Sequence, residues 1–198
     1  MKQNNNVLFM VLMVSIILCG CAKITYIDDE ETAKKLVEAV RENLDKLNAD
    51  IPTPFDSPDV NFNGVRVNGI KERDSVSTGG ITQYWEKTEI GITFEGLRSD
   101  NLIIRTGDGS YNYYYLRRWQ GLDADNATVT LTLNYKLNSC WFIFKQDRKK
   151  HYQGIVTINY DVLDNLATKY KATVSFEDGR SFTITGTQTP KDEDISPP

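Results

Sequence analysis

"TVTLTLNYKL", residues 128–137, alternates polar and apolar positions without a break. Val129, Leu131, Leu133, Tyr135 and Leu137 interleave with Thr128, Thr130, Thr132, Asn134 and Lys136. A period of two sends the first set to one face of an extended chain and the second to the other. The segment is therefore read as a β-strand with one buried and one wet face. The pattern returns near the C-terminus, where Tyr170, Ala172, Val174 and Phe176 alternate before "EDG" and then Phe182 and Ile184. A two-residue turn at Asp178-Gly179 would set Val174 against polar Thr183. A three-residue loop, Glu177 to Gly179, sets Val174 opposite Phe182 and Ala172 opposite Ile184. Register follows the buried face, so the longer loop is expected, with Gly179 left-handed at a bulge.

Outward from these segments, further strands are expected over 60–71, 81–95, 101–106, 111–119, 139–145 and 153–162, with "TGDGS" (106–110) as a second hairpin turn. Gly64 and Gly69 interrupt the first of these and mark a bulge or bend. One stretch has a different period. "DDEETAKKLVEAVRENLDKLNA" (28–49) puts Ala33, Leu36, Val37, Val40, Leu44 and Leu47 on one helical stripe. Asp28 and Glu31 give it a capping-box-like start, and Glu31/Lys35 and Glu42/Lys46 sit at helix-supporting spacings on its outer face. "IPTPFDSP" (51–58) follows, and its three prolines force an extended connection. The expected fold is mainly β: an antiparallel meander of about eight strands, as a sandwich or open barrel, with one N-terminal amphipathic helix.

The first twenty residues belong to a different kind of segment. "MKQNNN" carries one positive charge at Lys2, and Val7 to Leu18 is apolar except for Ser15. Twelve helical residues reach roughly 18 Å, well short of a ~30 Å hydrocarbon layer, so an export signal is favoured over a membrane-spanning helix. Leu18-Cys19-Gly20-Cys21 resembles the lipobox of bacterial lipoprotein precursors, departing from it at Cys19, where Ala or Ser is usual. The resemblance covers residues 1–21 only. It implies cleavage between Gly20 and Cys21, diacylation of the Cys21 sulfur, and attachment to a membrane through that cysteine. Two or three acyl chains also fit the physics, because a single chain binds a bilayer only marginally. Ala22 after the cysteine resembles outer-membrane sorting in enteric bacteria. Surface-exported lipoproteins of Bacteroidetes carry acidic residues soon after the cysteine, whereas here the first are Asp28 and Asp29. The expected place is the bacterial cell envelope, lipid-anchored in the outer membrane, with the side left open.

On this reading the chain divides into a signal (1–20), a tether (21–27), one helix-plus-β domain (28–188) and an acidic, proline-rich tail (189–198) expected to be disordered. Losing Lys2 with the signal moves the net charge from −4 to −5. An acidic domain has no general attraction for nucleic acid, and none is expected as a partner. Cys140 is the one cysteine left for the folded domain, so the mature chain has no intramolecular disulfide.

The most suggestive chemistry lies in "YNYYYLRRW" (111–119). Tyr111, Tyr113, Tyr115, Arg117 and Trp119 share one strand face, with Asn112, Tyr114, Leu116 and Arg118 on the other. Exposed, such a strip is a platform for sugars or peptide side chains. If Asp108-Gly109 is a two-residue turn, Ile104 faces Tyr113 and Leu102 faces Tyr115, and those tyrosines belong to the core. Tyr84 and Trp85 invite the same two readings.

Other features carry less. Cys140 in "SCWFIFK" reads as a small buried hydrophobe, although the single histidine, His151, could face it across a hairpin as a catalytic pair. "DADN" (123–126) is a calcium-loop fragment lacking the downstream glycine and glutamate, and is read as a polar turn; no metal or other cofactor is expected. "KQDRKKH" (145–151) is a basic group able to touch phosphates, or a solvated turn. Asp74-Ser75-Val76, in a segment expected to be a loop, resembles the O-glycosylation site of Bacteroidetes envelope proteins, with Ser75 as acceptor. The whole is similar to small lipoproteins of that group. Nucleophile-elbow, zincin, phosphate-loop and dinucleotide signatures are missing from the sequence. A glycosidase-type hydrolase needs only two facing carboxylates, and no pair among the 27 acidic residues stands out. The expectation is a non-enzymatic envelope domain binding a protein or glycan ligand through its sheet. The alternative is a structural component of an envelope assembly.

Overall fold

The computed structural model describes residues 25–62, 65–120, 123–147, 150–164 and 169–187, and in it the helical stripe lies against the apolar face of the alternating segments. The helix, α1, runs Glu30–Asp50. It is capped by Asp29, one residue later than the start expected at Asp28. The Asp29 carboxylate accepts from the Thr32 backbone N–H at 2.7 Å and from the Thr32 hydroxyl at 2.8 Å. These bonds favour the ionised form and hold the Asp29 carboxyl below its ordinary range, the charge a helix N-terminus also favours. Ala33, Leu36, Val37, Val40 and Leu44 are fully buried, and Leu47 packs at the margin of the core. On the outer side Lys35 meets Glu31 at 2.7 Å.

Nine strands follow: β1 (Phe55–Phe62), β2 (Val65–Thr78), β3 (Ile81–Phe94), β4 (Leu97–Arg98), β5 (Leu102–Gln120), β6 (Asp123–Lys145), β7 (His151–Val162), β8 (Lys169–Phe176) and β9 (Ser181–Thr187). All pairs are antiparallel, and the order is β1-β2-β3-β5-β6-β7-β8-β9, with β4 paired to β5. This is the expected mainly-β meander with one helix, laid out as a single open sheet whose edges are β1 and β9 rather than as a sandwich or barrel. The β8–β9 hairpin has the longer loop: Val174 faces Phe182, Ala172 faces Ile184, and Gly179 is left-handed at φ +87°.

Two expected breaks are not turns. The "TGDGS" segment lies inside β5, which pairs with one continuous partner from Leu102↔Phe144 to Gln120↔Asp123. The buried positions change parity across it, from Leu102 and Ile104 to Gly109 and Tyr111, and the register shifts at Thr106. A bulge inserts one residue and flips the face, which reconciles two alternations within one strand. Gly107 permits it, at φ +96° and with Cys140 Cα only 2.7 Å from where a Cβ would stand. β6 makes the same change, from Leu133, Tyr135 and Leu137 to Cys140, Phe142 and Phe144, around Ser139 at φ +46°. The expected strand 60–71 is instead divided between β1 and β2, which pair antiparallel up to Phe62↔Val65; residues 63–64, and with them the break expected at Gly64, lie outside the described residues. Asp123–Asn126, read as a polar turn, opens β6.

Residues 25–27, the end of the expected tether, are docked on the sheet. Thr25 forms a parallel bridge to Tyr152, its carbonyl accepts from Gln153 N–H at 3.2 Å, and Ile27 is 1% exposed. Arg180 fixes this segment from the β8–β9 hairpin: its guanidinium donates to the Ile27 carbonyl, pairs with Asp178 at 2.7 Å and lies over the Phe176 ring. The bridge is available because β8 pairs with β7 only from Val156 onward.

Under α1 the core is floored by tyrosines. Tyr135 stacks on Tyr160 at 4.6 Å and Tyr160 on Tyr170 at 5.1 Å. Tyr135 Oη donates to the Val37 carbonyl at 2.8 Å, and Tyr111 Oη to Asp45 Oδ1 at 3.0 Å. The far end of α1 has no basic residue in its last turn; a lysine of the sheet supplies the charge. Lys71, 8% exposed, donates to the carbonyls of Asn48 and Ile51. It thereby adds a donor to the Asn48 carbonyl, which also accepts from Ile51 N–H, bonds the Ile51 carbonyl and places a cation at the negative end of the dipole. Lys71→Met keeps the apolar stem and deletes the donors. It is expected to lower unfolding stability by about 2 kcal/mol, read from urea midpoints, whereas the exposed neighbour Arg73→Met should change it by less than about 0.5 kcal/mol.

Candidate binding surface

Beyond Lys71 nothing covers β2: every position from Arg73 to Thr78 is exposed. β2 and β3 stay paired to Thr78↔Ile81, where Gly79 and Gly80, at φ +62° and +82°, make the tight left-handed turn that a two-residue hairpin needs. β5 and β6 run alongside to Gln120↔Asp123. These four strand ends form a ribbon that projects past the helix with both faces reachable by solvent.

The expected strip runs from the core out onto this ribbon. Tyr111 is fully buried, and burial together with the Asp45 carboxylate raises its phenol well above the ordinary value. Tyr113 stacks on it at 6.1 Å and Tyr115 on Tyr113 at 6.5 Å, both half-buried. Arg117 is 9% exposed, with its guanidinium carbon 5.2 Å from the Trp119 ring centre. Trp119 is half-buried and stacks on Tyr84, directly opposite on β3, at 5.6 Å and 13° between planes. The five residues therefore divide: Tyr111 belongs to the core, Tyr113 and Tyr115 bridge, and Arg117 and Trp119 with Tyr84 form the outer group. Which position falls where is decided by the bulge at Gly107 and the reach of α1, neither of which a local pattern states.

On the reverse face Trp85, Tyr114, Leu116 and Arg118 border a hollow of about 770 Å³ that Tyr84 and Trp119 also reach. A wider hollow, about 990 Å³, opens between α1 and β4, but its wall is a mixture of charges and aliphatic groups, including Lys46, Asp50, Glu95 and Arg98, without an aromatic side chain. Flat rings are what favours the ribbon. Ser75, expected in a loop, is on β2, exposed and directly opposite Tyr84. Cys21 and Gly20 lie outside the described residues.

The remaining candidates separate. Cys140 pairs with Val156 and His151 with Lys145, five positions along β7, so thiol and imidazole do not face each other. The thiol is buried and donates to the Asp108 carbonyl at 3.3 Å. Among the described residues no group of three or more His, Cys, Asp or Glu gathers to hold a metal ion. Comparison with known proteins finds no family model, no curated relative and no solved structure that matches this chain.

Burial pushes the Cys140 thiol up to about 11. An acid held protonated in the fold and released on unfolding makes stability fall with rising pH, beginning near the unfolded thiol's ordinary value and levelling above 11. At pH 8 the folded thiol should carry about 100-fold less thiolate than an unfolded one. Labelling with iodoacetamide is therefore expected to be at least that much slower in the folded protein than in urea; equal rates would contradict the buried position.

Proposed function

We propose that the chain is a lipid-anchored lipoprotein of the bacterial envelope, in the outer membrane, whose ribbon binds a glycan without chemically altering it. The observation that carries the binding half is the stacked, half-buried Tyr84–Trp119 pair, whose rings also reach the hollow bordered by Trp85, Tyr114 and the exposed Arg118. Sugar rings present apolar C–H faces that lie flat on aromatic planes, and a guanidinium offers several donors to hydroxyl or carboxyl oxygens around the ring. A hollow of about 770 Å³ falls within the size range of small-ligand sites. The anchoring half rests on the lipobox-like Leu18-Cys19-Gly20-Cys21.

A glycan array of envelope polysaccharide fragments, probed with the soluble domain, tests the first half. Tyr84→Ala with Trp119→Ala should reduce binding at least 10-fold, since sugar stacking is lost with the rings, while circular dichroism keeps the strand signal of the parent and the thermal midpoint falls by only a few degrees. A variant that keeps both its fold and its binding would remove the ribbon from consideration. Metabolic labelling with an alkyne fatty acid tests the second half: label should enter the parent and be lost in Cys21→Ser.

The sheet edges favour a second reading, docking within an envelope assembly. β1 carries the usual protections of an edge: Pro58, a bulge between Ser57 and Val60, and exposed Asp56 and Asp59. β9, "SFTITGT", has neither proline nor charge. A partner strand added there would give a stoichiometric crosslink from residues 181–187 in intact cells.

A further inference from the structure

The docked N-terminal segment leaves very little chain between the fold and the proposed anchor. Cys21 precedes Thr25 by four residues, and a fully extended chain spans at most about 3.6 Å per residue, so the separation cannot exceed roughly 14 Å. Thr25 is itself bonded to β7. The surface around it must therefore sit close to whatever layer holds the acyl chains.

That surface has the composition of a membrane interface. Tyr26 is 60% exposed and shares an open hollow of about 420 Å³ with Trp141, Ile155 and Phe176. Trp141 and Ile155 are directly opposite on β6 and β7, on the sheet face away from α1. Arg105 lies with its guanidinium carbon 4.8 Å from the Trp141 ring centre, and Lys145 follows Trp141 on the same face of β6. The adjoining sequence, "KQDRKKH" (145–151), carries four cations and one carboxylate, with residues 148–149 outside the described residues. Carboxylates at this end include Asp28, Asp29, Asp100, Asp147, Glu177 and Asp178; Asp29 is engaged with Thr32 at the start of α1, Asp178 is held by Arg180 at 2.7 Å, and Asp147 accepts from the Lys150 backbone N–H at 2.6 Å. Aromatic rings with polar tips settle at the headgroup level, and Lys or Arg beside them meets lipid phosphates.

Resting on the anchored reading proposed above, we infer that this end of the sheet is a bilayer-docking face. Tyr26, Trp141 and Ile155 lie in the headgroup layer of the anchoring phospholipid, with Arg105 and Lys145 against its phosphates. The acyl chains hold the protein, and this face fixes its orientation.

The test uses the full lipidated protein, its acylation at Cys21 verified by mass spectrometry. It is reconstituted in vesicles of phosphatidylethanolamine and phosphatidylglycerol containing a bromine-labelled phosphatidylcholine, which quenches nearby indoles. The chain has three tryptophans, and Trp85→Phe with Trp119→Phe leaves Trp141 as the reporter. Bromolipid should lower its emission by about two-fold or more, as for an indole at the interface. The matched protein keeping only Trp119 should stay unquenched. An acylated protein with unquenched Trp141 would overturn the docking face and leave the anchor standing; equal quenching of Trp119 would overturn the orientation. A chain without acylation would remove the anchor and, with it, this inference. Should the tryptophan variants fail to fold, hydrogen exchange on the unsubstituted lipidated protein reads the same contact. Amides of 151–155 and 176–180 should exchange more slowly in the bilayer than in the soluble domain, and no slowing there overturns the docking face.

Discussion

One helix has to cover a sheet too large for it, and most of this architecture follows from that mismatch. A 21-residue helix is about 31 Å long, whereas strands of 19 and 23 residues extend to roughly 60 and 75 Å before twist and bulges shorten them. Apolar side chains concentrate where α1 reaches: Tyr111, Tyr135, Tyr160 and Tyr170 lie beneath it, and the tyrosine hydroxyls at 111 and 135 bond to the helix itself. Large rings suit this position because each brings substantial apolar area together with a polar tip that can satisfy a helix carbonyl or carboxylate. Lys71 marks where cover ends. Its ammonium closes the helix carbonyls, and the next residues along β2 are exposed.

Outside the cover, the strands have to remain soluble as a bare ribbon. They do so with cross-strand polar pairs, such as Arg73 with Glu86 at 3.4 Å and Ser77 with Thr82 at 2.9 Å, rather than with buried area. Such exposed pairs contribute little each, so the ribbon's persistence depends on its backbone ladder and on the stacked rings of Tyr84 and Trp119. Rings that stabilise an otherwise uncovered ribbon are also the rings left available to a ligand. Stability and the proposed recognition draw on the same side chains there.

How much of this could be read from the sequence follows a physical division. Alternation over 128–137 and 170–184 gave strand identity, buried face and the β8–β9 register, because a one-residue slip would have buried Thr183. The stripe on α1 was equally legible. The turn expected at 106–110 was misread because glycine and aspartate signal hairpins and bulges alike; what separates them is parity, and the same test shows that the strands expected on either side of 138 are one strand. Buried positions are even before Gly107 and odd after it, odd before Ser139 and even after it, a change a hairpin does not require. Lys71, Arg180 and Thr25 could not be found locally at all. Each acts on a segment far along the chain, from Asn48 to Lys71 or from Ile27 to Arg180, and no periodicity encodes such a contact.

The two bulges also set the relation between the ends of the molecule. Because β5 continues through Gly107 instead of turning back, Thr106, opposite Trp141, and Trp119 belong to one strand, thirteen residues or roughly 40 Å apart. A hairpin at 106–110 would have folded Tyr111–Trp119 back alongside 102–106 and brought the aromatic ribbon beside the N-terminal segment. With the strand continuous, the proposed anchor and docking face occupy one end, and Tyr84 with Trp119 the other. On the proposed anchoring, a ligand layer roughly 40 Å from the bilayer would be within reach of the ribbon, with the opposite end held by Arg180 and Thr25. Gly107 is what permits this continuity: at φ +96°, with Cys140 Cα 2.7 Å from where a Cβ would stand, any side chain there would strain the bulge that keeps the two ends apart.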